Sequence, residues 1–498
     1  MKKQAFNPFL PLSEYIPDGE PHVFGNRVYL FGSHDKESGE TFCMLDYAGW
    51  SAPVDDLSDW SCSGVIYSAR QDPLYGEKIK YMYAPDCVQG NDGRYYLYYC
   101  MSGDRGIGGY SNPVSVAVCD TPDGHYEYLG TVKNSDGAPF LRYACFDPAV
   151  MNDNGTIRLY YGTDFPWFER IPFPALKEKA IANIVGRTRE QVRAVPEGVT
   201  GAYHATLAED MLTVVDMPKR IDTAIAGAEY EKHKFFEGSS IRKVGSTYYF
   251  IYSSVNNHEL CYATSSHPDR GFRYGGTIVS NGDVGLNGRK PEERLNHTGT
   301  NHGSIEYING QWYVFYHRLT NNSDFSRQAC AERIHILPDG RIPQVEITSC
   351  GLNGGALKAE GAYPAVICCN LTNGKMKHGT NQKRETKEPC VVCEDGERYI
   401  KNISENTLIG YKYFQVEGRL SLSVMVRGRG SGVLEVRMQE NGSACSRMEI
   451  TPSDTWQERV CILPERKGVY PLYFHYFGKG NIEILSFKWQ KQNNSENN

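Results

Sequence analysis

Short runs of alternating polar and apolar positions, rich in aromatic residues, recur along the first two thirds of the chain. Each run begins at a turn glycine and passes through a polar residue into a strand-like aromatic stretch. The five runs are residues 25–31, 93–99, 155–161, 245–252 and 310–316. This repetition predicts an all-β region of repeated strand units down to about residue 345.

A polar motif precedes each aromatic run. The motifs start at Asp18, Asp86, Asp147, Glu237 and His302, with separations of 68, 61, 90 and 65 residues. Strand units that recur at this spacing are typical of a β-propeller, so the pattern predicts five blades. The long interval contains residues 174–195, whose helical period predicts an inserted helix. Because equivalent positions of propeller blades converge at the central channel, the five motifs are expected to form one site.

The pattern changes after residue 350. Alternating strands return at residues 420–427, 432–438 and 472–477, without another copy of the repeated unit. We therefore predict a five-bladed β-propeller catalytic domain over residues 1–350 and a β-sandwich over 351–490. The polar residues 491–498 predict a disordered tail.

Composition and charge exclude several classes of partner and site. The chain has 498 residues with 40% hydrophobic and 22% charged residues, and its net charge of −6 argues against a nucleic-acid partner. No apolar stretch is long enough to cross a membrane, and the N-terminus has no apolar core of a signal peptide. The 15 cysteines lack metal-binding spacing. These features predict a cytoplasmic protein, or a secreted one if a leader has been removed, and leave its oligomeric state open.

Three acidic residues of these motifs are candidate catalytic residues. Asp18, Asp147 and Glu237 each lie beside turn or small residues and next to a strand, so each can reach the channel mouth. Hydrolysis of an acetal needs one carboxylic acid to protonate the leaving oxygen and one carboxylate to activate water or attack the sugar. A third carboxylate raises the pKa of the acid by charge repulsion. Acidic turn residues are also common structural choices, and spacing alone leaves both interpretations open.

Six motifs, in this order along residues 5–345, resemble glycoside hydrolase family 43. They are Asp18 in Pro-Asp-Gly-Glu-Pro-His, Tyr83-Ala84-Pro85-Asp86, Phe146-Asp147-Pro148-Ala149, Glu237-Gly238 followed by Ser-Ile-Arg, Asn301-His302-Gly303-Ser304, and Tyr316-His317-Arg318. The resemblance implies a five-bladed propeller and hydrolysis with inversion. It further implies that Asp18 is the general base and Glu237 the general acid, with Asp147 orienting Glu237 and raising its pKa.

The same resemblance implies a set of substrate-binding residues. His302 is expected near the channel axis, in contact with a structural calcium or sodium ion that is otherwise coordinated by water; no cofactor is required. Arg327 resembles the arginine that faces the sugar. Tyr83 stands where many relatives carry Trp, which leaves the shape of that wall open. Trp167 is expected either at the pocket rim or in the core. We expect Asp86 to cap a turn.

The C-terminal region resembles a family-6-type carbohydrate-binding module more loosely. The residues that carry this likeness are Tyr411-Lys412-Tyr413-Phe414, the run 424–428 and Leu472-Tyr473-Phe474. Such strands bind sugar through aromatic residues of their edge loops or support the propeller. Trp456 is expected to be a packing residue.

We therefore predict an inverting exo-glycosidase that removes terminal α-L-arabinofuranosyl or β-D-xylosyl residues, or both, from plant hemicellulose oligosaccharides. An endo-arabinanase or a β-galactofuranosidase of the same fold remains an alternative, as do a metal-dependent propeller hydrolase and a sugar-binding propeller without catalysis. The expected partner is an oligosaccharide or polysaccharide, with no nucleic acid and no membrane.

Overall fold

The structure, a computed structural model, describes residues 4–222, 225–379 and 387–492. Most of the ordered segments in these ranges are strands of antiparallel sheets, which confirms the all-β prediction. The predicted disordered tail, residues 491–498, lies outside the described residues from position 493 onward. In the part of the chain that is described, no helix is long and apolar enough to cross a membrane.

Residues 20–334 form five consecutive sheets, each built from neighbouring strands. The first sheet has β1 (Glu20–Phe24), β2 (Arg27–Phe31), β3 (Tyr47–Pro53) and β4 (Ser61–Tyr67), and the second β5 (Met82–Gln89), β6 (Tyr95–Met101), β7 (Val114–Cys119) and β8 (Glu127–Thr131). The third has β9 (Ala149–Asp153), β10 (Thr156–Thr163), β11 (Gly201–Leu207) and β12 (Lys219–Arg220). The fourth has β13 (Phe235–Val244), β14 (Thr247–Ser254), β15 (Glu259–Ser265) and β16 (Arg273–Ser280), and the fifth β17 (Ser304–Ile308), β18 (Gln311–Leu319) and β19 (Arg327–Ile334).

The five aromatic runs are the second strands of these sheets, β2, β6, β10, β14 and β18, as the alternating pattern predicts. Their apolar faces are buried between neighbouring sheets. The first strands contact one another in sequence, from β1 to β5, β9, β13 and β17 and back to β1. A parallel bridge between Gly19 and Gly303 joins the two ends of this ring. The residues just before Gly19 and Gly303 therefore lie side by side.

Asp86 connects three of the first strands. It lies within β5 and is fully buried, with Oδ1 2.6 Å from Nε2 of His22 in β1, while its Oδ2 accepts from the backbone N–H of Val150 in β9 at 2.7 Å. Asp86 thus links strands from inside the ring and does not cap an exposed turn.

The predicted helical insertion is confirmed. Helix α1 (Pro174–Ile184) and helix α2 (Arg189–Arg193) lie between β10 and β11. Proline at the first position suits the start of α1, and Thr188 caps α2 by accepting from the backbone N–H of Gln191. Arg193 donates to Glu178 at 2.7 Å and ties the two helices together.

Twelve strands follow the ring. They are β20 (Leu357–Lys358), β21 (Gly361–Pro364), β22 (Asn370–Thr372), β23 (Cys390–Glu394), β24 (Glu397–Ile403), β25 (Thr407–Gly418), β26 (Leu420–Gly428), β27 (Ser431–Arg437), β28 (Ser446–Ile450), β29 (Ser453–Ile462), β30 (Arg466–Lys479) and β31 (Ile482–Lys491). They form two six-stranded sheets. One has the order β20-β25-β30-β27-β28 with β22 on β25, and the other β23-β24-β31-β26-β29 with β21 on β31.

The two C-terminal sheets share one apolar core and contact the ring through buried charges. Phe414 and Phe474 from one sheet and Trp489 from the other belong to this core. Lys412, which is buried, lies 3.1 Å from Oδ2 of Asp283 and donates to Glu346 at 2.9 Å. A buried ion pair across two packed units constrains their relative position, because separating the partners would leave a charge without compensation.

Candidate active site

A pocket of about 630 Å³ lies at the end of the ring where β1, β9, β13 and β17 begin. Asp18 and Asp147 lie two residues before β1 and β9, Glu237 is the third residue of β13, and His302 lies two residues before β17. All four line this one pocket. The structure therefore brings together polar residues that are up to 284 positions apart in the sequence, as the repeat predicts.

The backbone of two of these residues is strained. Asp18 has φ = 57° and Asp147 has φ = 43°, both in the left-handed region that L-residues other than glycine seldom occupy. Strained conformations of this kind persist where the surrounding fold holds them, and they concentrate at functional sites. Both carboxylates are buried.

Asp18 is held ionised chiefly by its contact with Arg327. Nη1 of Arg327 donates to Oδ1 of Asp18 at 2.8 Å, and Nδ1 of His317 lies 3.3 Å from the same oxygen. Burial by itself raises the pKa of the Asp18 carboxyl, but the charge of Arg327 and the contact with His317 outweigh it. The pKa therefore lies well below its ordinary value of 3.8, and Asp18 carries a negative charge at neutral pH.

Arg327 is fixed by a second carboxylate, Asp35. Its Nε donates to Oδ2 of Asp35 at 2.8 Å, and its Nη2 donates to Oδ1 at 3.0 Å, while its guanidinium lies 4.6 Å from the ring centre of Phe42. A bidentate ion pair of this kind fixes the plane of the guanidinium. Arg327, which the resemblance implies faces the sugar, lines the pocket, and its direct partner there is Asp18.

Glu237, unlike Asp18, has a raised pKa. The register of β13 against β14 shifts on both sides of this residue, as in a β-bulge. A bulge bends the strand and changes the direction of the side chain it carries. Burial, and then repulsion by the negative charge of Asp18, raise the pKa of Glu237 from 4.5 to about 8, although Arg327 acts in the other direction. Glu237 is therefore protonated at neutral pH, while Asp18, in the same pocket, is not.

Asp147 lies against the segment that carries Glu237. Its Oδ2 accepts from the backbone N–H of Gly238 at 3.0 Å. Burial, followed by the charges of Glu237 and Asp18, raises the pKa of Asp147 above its ordinary range. The hydrogen bond fixes the backbone next to Glu237, and the shared negative field favours protonation of the Asp147–Glu237 pair.

His302 lies between two of the carboxylates. Its Nδ1 is 3.7 Å from Oδ1 of Asp18 and 3.8 Å from Oδ2 of Asp147. Burial lowers the pKa of His302 to about 4, so the ring is neutral. Its Nε2 is buried and has no hydrogen-bond partner among the described residues. A neutral imidazole nitrogen without a partner is a group that a cation or a ligand hydroxyl can satisfy.

Aromatic side chains cover the rest of the pocket. Tyr83 is buried, and its hydroxyl donates to the carbonyl of Gly106 at 2.7 Å, so the ring face is what remains for a ligand. Trp167 is 42% exposed and lies 5.3 Å from the ring of Phe236, which places it at the pocket rim and not in the core. Other lining residues are Phe42, Tyr110, Phe146, Phe165 and Ile184.

Three residues at the site had no role assigned from the sequence. Asp35 clamps Arg327, His317 contacts Asp18, and His378 reaches the pocket from beyond β19. His317 stood inside a recognised motif, Tyr316-His317-Arg318. Asp35 and His378 carried no motif, since their partners lie far away in the sequence.

The arrangement supplies the groups that acetal hydrolysis requires. An ionised carboxylate can accept a proton from water, and a protonated carboxyl can donate one to a leaving oxygen. Two carboxyl groups whose surroundings separate their pKa values are a physical basis for dividing these two tasks. Asp18 and Glu237 form such a pair.

Comparison with known proteins agrees with this chemistry. Residues 13–179 match the model of glycosyl hydrolases family 43. The chain is 44% identical to a xylosidase/arabinosidase of Thermoclostridium stercorarium, over 98% of this chain and 99% of that protein. It is 28% identical to a xylosidase/arabinosidase of Bacteroides ovatus, over 68% of this chain and 97% of that protein.

A solved structure gives the same assignment. A family 43 enzyme from Xanthomonas citri complexed with xylose is 25% identical and has a TM-score of 0.51, over 67% of this chain and 90% of that one. The sequence likeness to the Thermoclostridium protein spans both the ring and the C-terminal sheets. This chain therefore belongs to glycosyl hydrolases family 43 and is a glycoside hydrolase.

Proposed function

We propose that this glycoside hydrolase removes terminal α-L-arabinofuranosyl and β-D-xylosyl residues from hemicellulose oligosaccharides, with inversion at the anomeric carbon. One observation carries the proposal: a single pocket contains both an ionised carboxylate, Asp18, and a protonated carboxylic acid, Glu237. Asp18 is the general base that takes a proton from the attacking water. Glu237 is the general acid that protonates the leaving oxygen.

In this mechanism Asp147 and Arg327 are positioning residues. Asp147 holds the backbone at Gly238, and repulsion between its carboxyl and that of Glu237 opposes ionisation of both at once, so the pair retains a proton for the leaving oxygen. Arg327 keeps Asp18 ionised and orients it. Tyr83 and Trp167 supply ring faces on which the apolar side of a sugar stacks.

The substrate assignment rests on the relatives and on the shape of the site. Two relatives bear the name xylosidase/arabinosidase, and the Xanthomonas structure was solved with xylose. The Asp18 and Asp147 carboxylates are buried at the inner end of the pocket, whereas Trp167 is exposed at its rim. A chain end can reach such buried groups more readily than the middle of a polymer can, which favours exo action.

The ring supports a five-bladed β-propeller over residues 1–350, with each of the five sheets as one blade. The closed contacts among the first strands and the Gly19–Gly303 bridge support this description. The two C-terminal sheets support a β-sandwich over residues 351–490.

For the β-sandwich we propose a supporting role through its contacts with the propeller, and the resemblance to a family-6-type carbohydrate-binding module stays a prediction. Neither of its tryptophans is open for stacking. Trp489 is buried, and Trp456 lies under the guanidinium of Arg427 at 4.2 Å and donates to Glu397 at 3.0 Å.

His302 fits the predicted contact with a calcium or sodium ion. The unpartnered Nε2 would be its protein ligand, and water would complete the coordination, because hard cations prefer oxygen. Such an ion would add positive charge at the channel. The proton transfers assigned to Asp18 and Glu237 use only side chains of this chain, so the hydrolysis requires no cofactor.

A panel of nitrophenyl glycosides tests the function. We expect release of nitrophenol from the α-L-arabinofuranoside and the β-D-xylopyranoside, and none from the β-galactofuranoside. Proton NMR of the β-xyloside reaction is expected to show α-D-xylose as the first-formed anomer. Activity on neither pentoside, or cleavage of internal bonds of linear arabinan at a higher rate, would contradict the proposal.

A further inference from the structure

A segment that follows the ring returns to the active-site pocket. The segment first contacts the ring at Leu371, whose backbone N–H donates to the carbonyl of Leu295 at 2.8 Å. The backbone N–H of Thr298 donates to Lys377 at 3.1 Å, and that of Gly379 donates to Thr298 at 2.8 Å. The backbone on both sides of His378 is thus paired with the loop that leads into β17.

Gly379 fixes the path of this segment. A Cβ atom at this position would lie 2.6 Å from Nε2 of His297 and 2.5 Å from Oδ2 of Asp324, so no larger residue fits without displacing them. The close approach places His378 at a defined position on the ring.

Thr298 forms hydrogen bonds with both Arg294 and His378. Arg294 donates from Nη1 to Oγ1 of Thr298 at 3.0 Å, and Nδ1 of His378 lies 3.0 Å from the same oxygen. Since Arg294 can only donate, the hydroxyl proton of Thr298 is available to Nδ1 of His378. Partial burial and the charges of His258 and Arg294 lower the pKa of His378 to about 4. The imidazole is therefore neutral, and when the Thr298 hydroxyl donates to Nδ1 the ring proton is on Nε2.

His378 occupies the outer part of the pocket. Its side chain is exposed and lines the same pocket as the buried Asp18 and Asp147. Among the described residues, no group accepts a hydrogen bond from Nε2. The sugar that is cleaved off lies against the buried carboxylates, so a residue at the outer part faces the sugar beyond the scissile bond.

We propose that His378 is a specificity-determining residue, which donates a hydrogen bond from Nε2 to a hydroxyl of the leaving-group sugar. The proposal rests on the proposed glycosidase function. It gives the C-terminal part of the chain a direct role in substrate choice, because His378 lies beyond the last strand of the ring.

Paired substrates with and without a second sugar test this role in the full-length enzyme. The first pair is xylobiose and 4-nitrophenyl β-D-xylopyranoside, and the second is α-1,5-linked arabinobiose and 4-nitrophenyl α-L-arabinofuranoside. His378→Ala is expected to lower kcat/KM on the disaccharide about 10-fold, the worth of one hydrogen bond, and to lower it less on the nitrophenyl glycoside, which lacks the hydroxyl. His378→Gln retains an N–H donor and is expected to recover part of the loss. Lys375→Ala, at an exposed position of the same segment outside the pocket, is the matched control.

The outcomes separate this inference from the function on which it rests. An equal loss on both substrates of a pair would show a structural role for His378, and no loss on the disaccharide would show that it does not bind the leaving group; either result overturns the inference. If the unchanged enzyme cleaves neither pair, the proposed function fails, and the inference fails with it.

Discussion

Arg327 donates to Asp18 across 2.8 Å, although the two residues are 309 positions apart in the chain. The same guanidinium is held from behind by Asp35 through two further hydrogen bonds. This chain of contacts compensates the burial of Asp18 and keeps it ionised, which is the state that a general base requires. Arg327 therefore acts on the reaction through the charge of its neighbour.

Replacement of Arg327 tests this relationship. Arg327→Met removes the charge that outweighs the burial of Asp18, so the Asp18 pKa is expected to rise, and the acid limb of the kcat/KM profile to move to higher pH. The measurement is kcat/KM on a nitrophenyl pentoside between pH 3 and 9, with circular dichroism to confirm folding. Arg270→Met, at an exposed position, is the control. An unchanged acid limb in a folded variant would contradict the role of Arg327.

The roles of Glu237 and Asp18 differ in their dependence on the leaving group. Asp18→Ala and Glu237→Ala are each expected to reduce the rate by about 10²-fold or more on natural disaccharides. A dinitrophenyl leaving group needs no protonation, so Glu237→Ala is expected to regain much of its rate on a dinitrophenyl xyloside, whereas Asp18→Ala is not. A Glu237→Gln variant with nearly full activity on xylobiose would rule out Glu237 as the acid.

The raised pKa of Glu237 also couples stability to pH. Its folded-state pKa of about 8 lies above its ordinary value of 4.5, so the protonated form is favoured in the fold. This contribution is fully present below pH 4.5 and is lost as the pH rises through 8. We expect Glu237→Gln, which cannot ionise, to raise Tm relative to the unchanged enzyme increasingly between pH 5 and 9. A Tm difference that does not vary with pH would contradict the raised pKa.

Much of the fold and part of the site follow from the sequence because they depend on local repetition. The turn glycine and the aromatic run mark the second strand of each sheet, and the motif before it therefore lies at the first strand, near the channel. That reasoning places Asp18, Asp147, Glu237 and His302 together. The repeat carries no information on side-chain partners from different sheets.

The residues that sequence reasoning missed are those whose role comes from a distant partner. Asp35 follows β2 and contacts Arg327 of β19, 292 residues later. His378 depends on the backbone pairing of a segment beyond the ring with Thr298. Asp86 was expected at a turn, and its burial within β5 follows from contacts to two other sheets. None of these contacts leaves a periodic pattern.

Substitutions of Asp147 test what sets the pKa of the general acid Glu237. Its carboxyl accepts from the backbone N–H of Gly238, and its own raised pKa opposes a negative charge beside Glu237; two substitutions separate the hydrogen bond from the charge. Asp147→Asn retains an oxygen that can accept from Gly238 and cannot ionise. Because burial and the charge of Asp18 raise the Glu237 pKa, the alkaline limb of kcat/KM is expected to stay near pH 8 in this variant. Asp147→Ala loses the hydrogen bond as well, and its kcat is expected to fall below that of Asp147→Asn at every pH. An alkaline limb that moves to lower pH in folded Asp147→Asn would show that a negative charge on Asp147 also raises the pKa of Glu237.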